Sequence, residues 1–189
     1  MNFFKRPFVA VLLSALIVLC STLVSIDVKL ESKCDAVSDI FYEGVRISRV
    51  EYPAMAEPMK QLCALTDDMI LIANNYGIDT GELSQRLDAL ELAMQYSEDN
   101  VSYIGSCYGE YFKALRTVEN QLQSTGLSER HQTVMDECSA QIASCSETIA
   151  QGAAGYNEKV RSFLKSYDKF PTSFWADVTG AWFPDYFNA

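Results

Sequence analysis

The chain has 189 residues, 15 basic side chains against 25 acidic ones, a formal net charge of −10, six cysteines and a single histidine. That length suits one domain, and so acidic a surface repels nucleic acid and anionic lipid head groups. One histidine and no Cys-x-x-Cys pair leave no ligand set for a structural zinc site, so no metal, cofactor or nucleic-acid partner is expected.

Residues 1–6 form a short start containing Lys5 and Arg6, and Pro7 to Ile26 follow without a charge for 20 residues. Such a run is about what a helix needs to cross the hydrocarbon core of a bilayer. The basic pair before it, against a mixed flank of Asp27, Lys29, Glu31 and Lys33, places the N-terminus in the cytoplasm and the rest of the chain outside. A cleaved signal peptide is the rival reading: Ser25 suits the last position before a cut, but Leu23 fits poorly two residues earlier. Leu19 likewise stands where lipid attachment at Cys20 would want a small residue. Beyond residue 26, 13 basic residues face 25 acidic ones, a balance of −12.

Residues 27–168 predict an antiparallel bundle of about four helices, making the whole chain all-α with an N-terminal transmembrane helix. The first helix runs from about Val28 to Ile47, continuous with the anchor. After a turn near Tyr52-Pro53, the second covers about Ala54 to Tyr76, with Pro58 tolerated in its first turn and Gly77 ending it. From Leu83 through Leu87, Leu90, Met94, Ser97, Val101, Ile104, Tyr108, Tyr111, Leu115 and Val118 to Leu122, steps of four and three alternate, and only Ser97 interrupts the apolar series. This heptad seam predicts one rod of roughly 60 Å, capped by Asp79 with Glu82 and ended at Gly126. Ser128 caps a last helix to about Asp168, whose stripe runs Val134, Cys138, Ile142, Cys145, Ile149, Ala153, Tyr156, Val160, Phe163 and Tyr167. The short link forces a hairpin, and Gly152-Ala153-Ala154-Gly155 allows close backbone approach. With four alternating rods, the C-terminus comes back toward the bilayer.

Residues 169–189 change character: Phe170, Phe174, Trp175, Trp182, Phe183, Tyr186 and Phe187 crowd beside Pro171, Gly180 and Pro184. Rings this dense either fold back to close the bundle or meet lipid or a partner, and Phe174, Trp175, Trp182 and Phe183 are the candidates for such contact.

Gly155-Tyr156-Asn157-Glu158-Lys159-Val160-Arg161, then Lys169-Phe170-Pro171-Thr172, then Pro184-Asp185-Tyr186-Phe187-Asn188-Ala189 resemble, in order and spacing, the signature of the LemA family. The resemblance covers about residues 113–189, with Tyr156, Asn157, Val160, Phe170, Pro171, Tyr186 and Phe187 as its motif positions. Leu164 departs from the pattern, where the family repeats an asparagine. The resemblance implies a membrane-anchored helical protein without established enzymatic activity, linked to envelope stress, membrane remodelling and membrane-bound metalloproteases.

No catalytic constellation is expected. Asp67-Asp68, Glu98-Asp99 and Asp136-Glu137 are neighbours that point about 100° apart on a helix, and His131, two turns from Cys138, reads as a solvated histidine at a helix start. Cys34, Cys63, Cys107, Cys138 and Cys145 read either as small core residues or as inter-helix disulfide partners, since the outer compartment oxidises thiols. Asn100-Val101-Ser102 matches an N-glycosylation acceptor inside the long helix. The chain is therefore read as a non-catalytic scaffold or adaptor of the cell envelope, partnered by the membrane and by an envelope protein or by itself. A self-associating membrane organiser and a ligand-sensing bundle entered near Ser97 are the alternatives.

Overall fold

The computed structural model describes residues 7–97, 100–167 and 182–188. Among the described residues the regular structure is helical apart from one small hairpin: α1 (Pro7–Ser38), α2 (Ile40–Glu43), β1 (Val45–Ile47), β2 (Val50–Tyr52), α3 (Ala56–Asn75), α4 (Gly81–Tyr96), α5 (Val101–Ser124) and α6 (Glu129–Tyr167). It divides into two compact units, Met1–Ala36 with Phe163–Phe183, and Val37–Ser162 with Pro184–Ala189.

In the first unit, α1 is long and apolar enough to cross a membrane. Val11, Leu12, Leu16, Ile17, Val18, Leu19 and Val24 are all exposed on it, whereas Leu30 and Cys34 farther along are buried. An apolar helix wet on every side is out of place in water, where each such side chain forgoes about 1.5–3 kcal/mol of burial. Cys34 donates its thiol to the Trp182 carbonyl at 3.2 Å. Phe163 meets Tyr167 and Phe183 with ring centroids 4.5 and 5.9 Å away, and Lys33 Nζ stands 5.1 Å from the Tyr167 ring centroid.

The second unit is a bundle of α3, α4, α5 and most of α6. The expected bundle of about four helices is only roughly matched, because its membership differs. The expected rod from Leu83 to Leu122 is broken: α4 ends at Tyr96 and α5 starts at Val101. Arg86 of α4 pairs with Glu110 of α5, positions at nearly equal distances from the break, as an antiparallel hairpin requires. Folding back buries Leu83, Leu87 and Leu90 along with Val101, Ile104 and Tyr108, at about 1.5–3 kcal/mol for each large side chain. The few helical hydrogen bonds given up are worth only about 1 kcal/mol each. Asn100 caps the new helix by accepting the Tyr103 N–H at 3.1 Å. The break adds a reversal, so counting four alternating rods does not locate the C-terminus.

The hairpin is the second departure. Val45 pairs with Tyr52, Arg46 with Glu51 and Ile47 with Val50 where a plain turn was expected, and α1 accordingly stops short of Ile47. Its two turn residues, Ser48 (φ 49°) and Arg49 (φ 77°), lie in the left-handed region that suits the tight twist of a two-residue loop.

Other boundaries match closely. Tyr76 follows α3, and Gly77 turns the chain at φ 69°. Ser128 caps α6, its hydroxyl accepting the His131 N–H at 3.3 Å. Asp79 bonds the Gly81 N–H at 2.9 Å, although Thr80 occupies the cap position of α4. On α6, Met135 is buried in place of the expected Val134.

Buried polar groups are paired, one pair across helices and one within α5. The Tyr111 hydroxyl of α5 bonds the Thr66 hydroxyl of α3, which itself donates to the Leu62 carbonyl at 2.9 Å. Glu119, almost wholly buried, receives Arg116 at 2.6 Å, while the same guanidinium stacks over Phe112 at 4.8 Å.

Candidate functional site

The motif residues on α6 and those of the C-terminal segment, far apart in sequence, meet in the second unit. Tyr156 is fully buried and donates its hydroxyl to the Asp185 carbonyl at 3.2 Å. Beside it, Asn157 grips Phe187 by both main-chain groups: Oδ1 accepts the Phe187 N–H at 2.8 Å and Nδ2 donates to the Phe187 carbonyl at 3.0 Å. Consecutive helix positions point about 100° apart, so the two side chains engage the segment at separate points.

The opposite wall is α5. Phe187 is buried against Tyr108, ring centroids 6.1 Å apart, and Tyr108 stacks on Phe112 at 5.6 Å. Gly105 provides the space: a Cβ there would lie 2.9 Å from the Phe187 ring and 3.1 Å from the main chain of Asn188. Burial raises the Tyr108 phenol to about 12 and pushes Tyr156 up as well, so both stay protonated and Tyr156 remains a donor.

A second close approach lies one turn earlier on α6. A Cβ on Gly152 would come within 2.6 Å of the Pro53 carbonyl oxygen, and one on Gly155 would strike the Tyr52 ring. The small-residue cluster therefore admits the Tyr52–Met55 segment, not the neighbouring long helix. Val160 is buried one turn beyond Tyr156.

Of the aromatic candidates, Trp182 is 46% exposed, and Phe183 is half-buried against Phe163 in the first unit. Phe170, Pro171, Phe174 and Trp175 lie outside the described residues. Tyr186 is half-buried, its N–H bonded to the Asp185 carboxylate at 2.7 Å.

The five disulfide candidates, Cys34, Cys63, Cys107, Cys138 and Cys145, are free thiols. All but Cys107 are buried, as core positions on helix stripes. Burial, with nearby carboxylates, lifts Cys63 to about 12, which suppresses the thiolate that nucleophilic or redox chemistry needs.

Three further positions differ from expectation. His131 is not simply solvated: Nδ1 lies 2.9 Å from the Tyr76 hydroxyl, which also accepts the Ser128 N–H at 2.9 Å. The Asn100 glycosylation triplet starts at an exposed helix cap instead of inside a helix. A cleft of about 370 Å³ between α3 and α4 is lined by Lys60, Cys63, Glu91, Met94 and Gln95, without Ser97. Among the described residues, no three His, Cys, Asp or Glu side chains are placed to hold a metal ion.

Sequence reasoning singled out Tyr156, Asn157 and Phe187 through the family resemblance but missed Gly105, Tyr108 and the backbone-directed bonding. The one available signal was a glycine within the heptad series of α5. Compared with protein-family models, with curated proteins and with solved structures, the chain matches none of them.

Proposed function

We propose that this chain is a single-pass, membrane-anchored helical scaffold or adaptor of the cell envelope, similar to the LemA family, which works by binding and not by catalysis. The observation that carries the proposal is the exposure of α1: a helix apolar on every side from Val11 to Val24 calls for lipid around it. Lys5 and Arg6 ahead of it favour a cytoplasmic N-terminus, with the acidic bundle on the other side. The meeting of Tyr156 and Asn157 with Asp185 and Phe187 gives the family-like motifs a shared structural purpose, which supports the resemblance. Half-exposed Trp182 offers the type of ring enriched at partner surfaces and membrane interfaces.

In-cell photo-crosslinking from position Trp182, with Asp88 on α4 as control, tests this reading. One dominant protein partner at Trp182 supports the adaptor. Lipid adducts or self-crosslinks favour the membrane-organising alternative, and adducts confined to the same chain refute both. Carbonate washing checks the anchor: the full chain stays with the membrane, and removal of residues 7–26 releases it.

A further inference from the structure

The C-terminal segment is held as a bound peptide is held. Pro184–Asn188 has no regular secondary structure, and it is gripped by bonds from Tyr156 and Asn157 to its main chain and by insertion of one ring beside Gly105 and Tyr108. We propose that this dock is exchangeable: the groove of one chain also accepts the Pro184–Asn188 segment of a second copy, joining chains by tail exchange. The proposal goes beyond the adaptor reading, since it names a second copy as partner and requires no other protein.

Two observations carry it. The occupant is already defined, because the segment of a second copy presents the same ring and the same main-chain groups to the groove. The contacts made in cis and in trans are then identical, and only the effective concentration set by the tether separates them. The second observation is the tether length. Fourteen positions, 168–181, separate the end of α6 from Trp182, and at about 3.3–3.6 Å per residue that length reaches up to roughly 50 Å. Once Trp182 and Phe183 leave Cys34 and Phe163, such a reach is long enough to bring the segment to the groove of a second chain.

The test uses two full-length variants in detergent. Asn157→Ala keeps the tail and weakens the groove by its two bonds to Phe187; Phe187→Ala keeps the groove and strips the tail of its ring. Neither holds both halves intact, whereas a mixture does, through the tail of the first and the groove of the second. The expected result is a one-chain mass for each variant by itself and a two-chain species containing one of each in the mixture. Excess free hexapeptide of residues 184–189, acetylated at its N-terminus, abolishes that species. A mixture no heavier than its components overturns the proposal, and so does equal association of either variant alone. Circular dichroism establishes that both variants are folded; should Asn157→Ala fail to fold, Gly105→Leu fills the groove from α5 and takes its place, with the same expectation.

Discussion

Replacing Asn157 with alanine removes both bonds to Phe187, at 2.8 and 3.0 Å, without touching the ring in its pocket. At about 1 kcal/mol net for each hydrogen bond, the docked tail loses about 2 kcal/mol. Since about 1.4 kcal/mol is a factor of ten, the open fraction of the tail rises roughly 30-fold. Hydrogen exchange followed by mass spectrometry on the full chain reads this directly, because the Phe187 amide is one of the two lost partners and exchanges through local opening. The expected outcome is exchange roughly 30-fold faster in the C-terminal peptide, with α3, α4 and α5 unchanged. Unaltered exchange at the C-terminus would refute the clasp. Equal acceleration throughout the bundle would also refute it, by making Asn157 a general determinant of stability.

The two notches on the helices should respond differently. Gly152→Ala gains about 1 kcal/mol of helix propensity but drives its Cβ to 2.6 Å from the Pro53 carbonyl oxygen, an overpacking cost of about 1–3 kcal/mol, so the melting temperature should fall by a few degrees. Gly105→Ala presses instead on the docked tail, and C-terminal exchange should accelerate with little change in melting. At the α3–α5 contact, Tyr111→Phe removes one hydroxyl while Thr66 keeps its bond to Leu62, costing about 1 kcal/mol. Thr66→Val leaves the Tyr111 hydroxyl only a 3.4 Å contact to the Leu62 carbonyl and should cost about 1–3 kcal/mol, an order that denaturant titration of the two variants checks. Alkaline pH should destabilise the fold: Cys63 at about 12 and Tyr108 at about 12 keep protons that an unfolded chain releases from pH 9 to 10 upward. Stability is unaffected by these groups below pH 9 and falls as pH rises toward about 12; a melting temperature flat from pH 8 to 11 contradicts the burial of these groups.

The sequence announces helices best where their ends carry chemistry. The expected Ala54–Tyr76 became Ala56–Asn75, and the expected end at Asp168 met a helix described to Tyr167, because Pro58, Gly77 and Ser128 mark boundaries by local backbone preference. The α4–α5 break was hidden because both helices bury a stripe and the phase of four and three runs unbroken through the turn; Ser97 was its one trace. Three-residue strands are too short for alternation to register, and Ser48-Arg49 lacks the glycine or asparagine that announces a tight hairpin. Tyr156 and Asn157 were visible as positions but not as a clasp, since their partners are main-chain groups some 30 residues away, which no side-chain pattern encodes.

A clasp that grips main chain has an informational consequence. Asn188 contributes backbone to the dock while its side chain faces solvent, so changes at that position would leave the grip intact. The specification of the dock is concentrated in a missing Cβ at Gly105, one hydroxyl at Tyr156, one amide at Asn157 and one ring at Phe187, on three separate segments. So sparse a code allows the rest of the chain to drift widely while the same tail keeps finding the same groove.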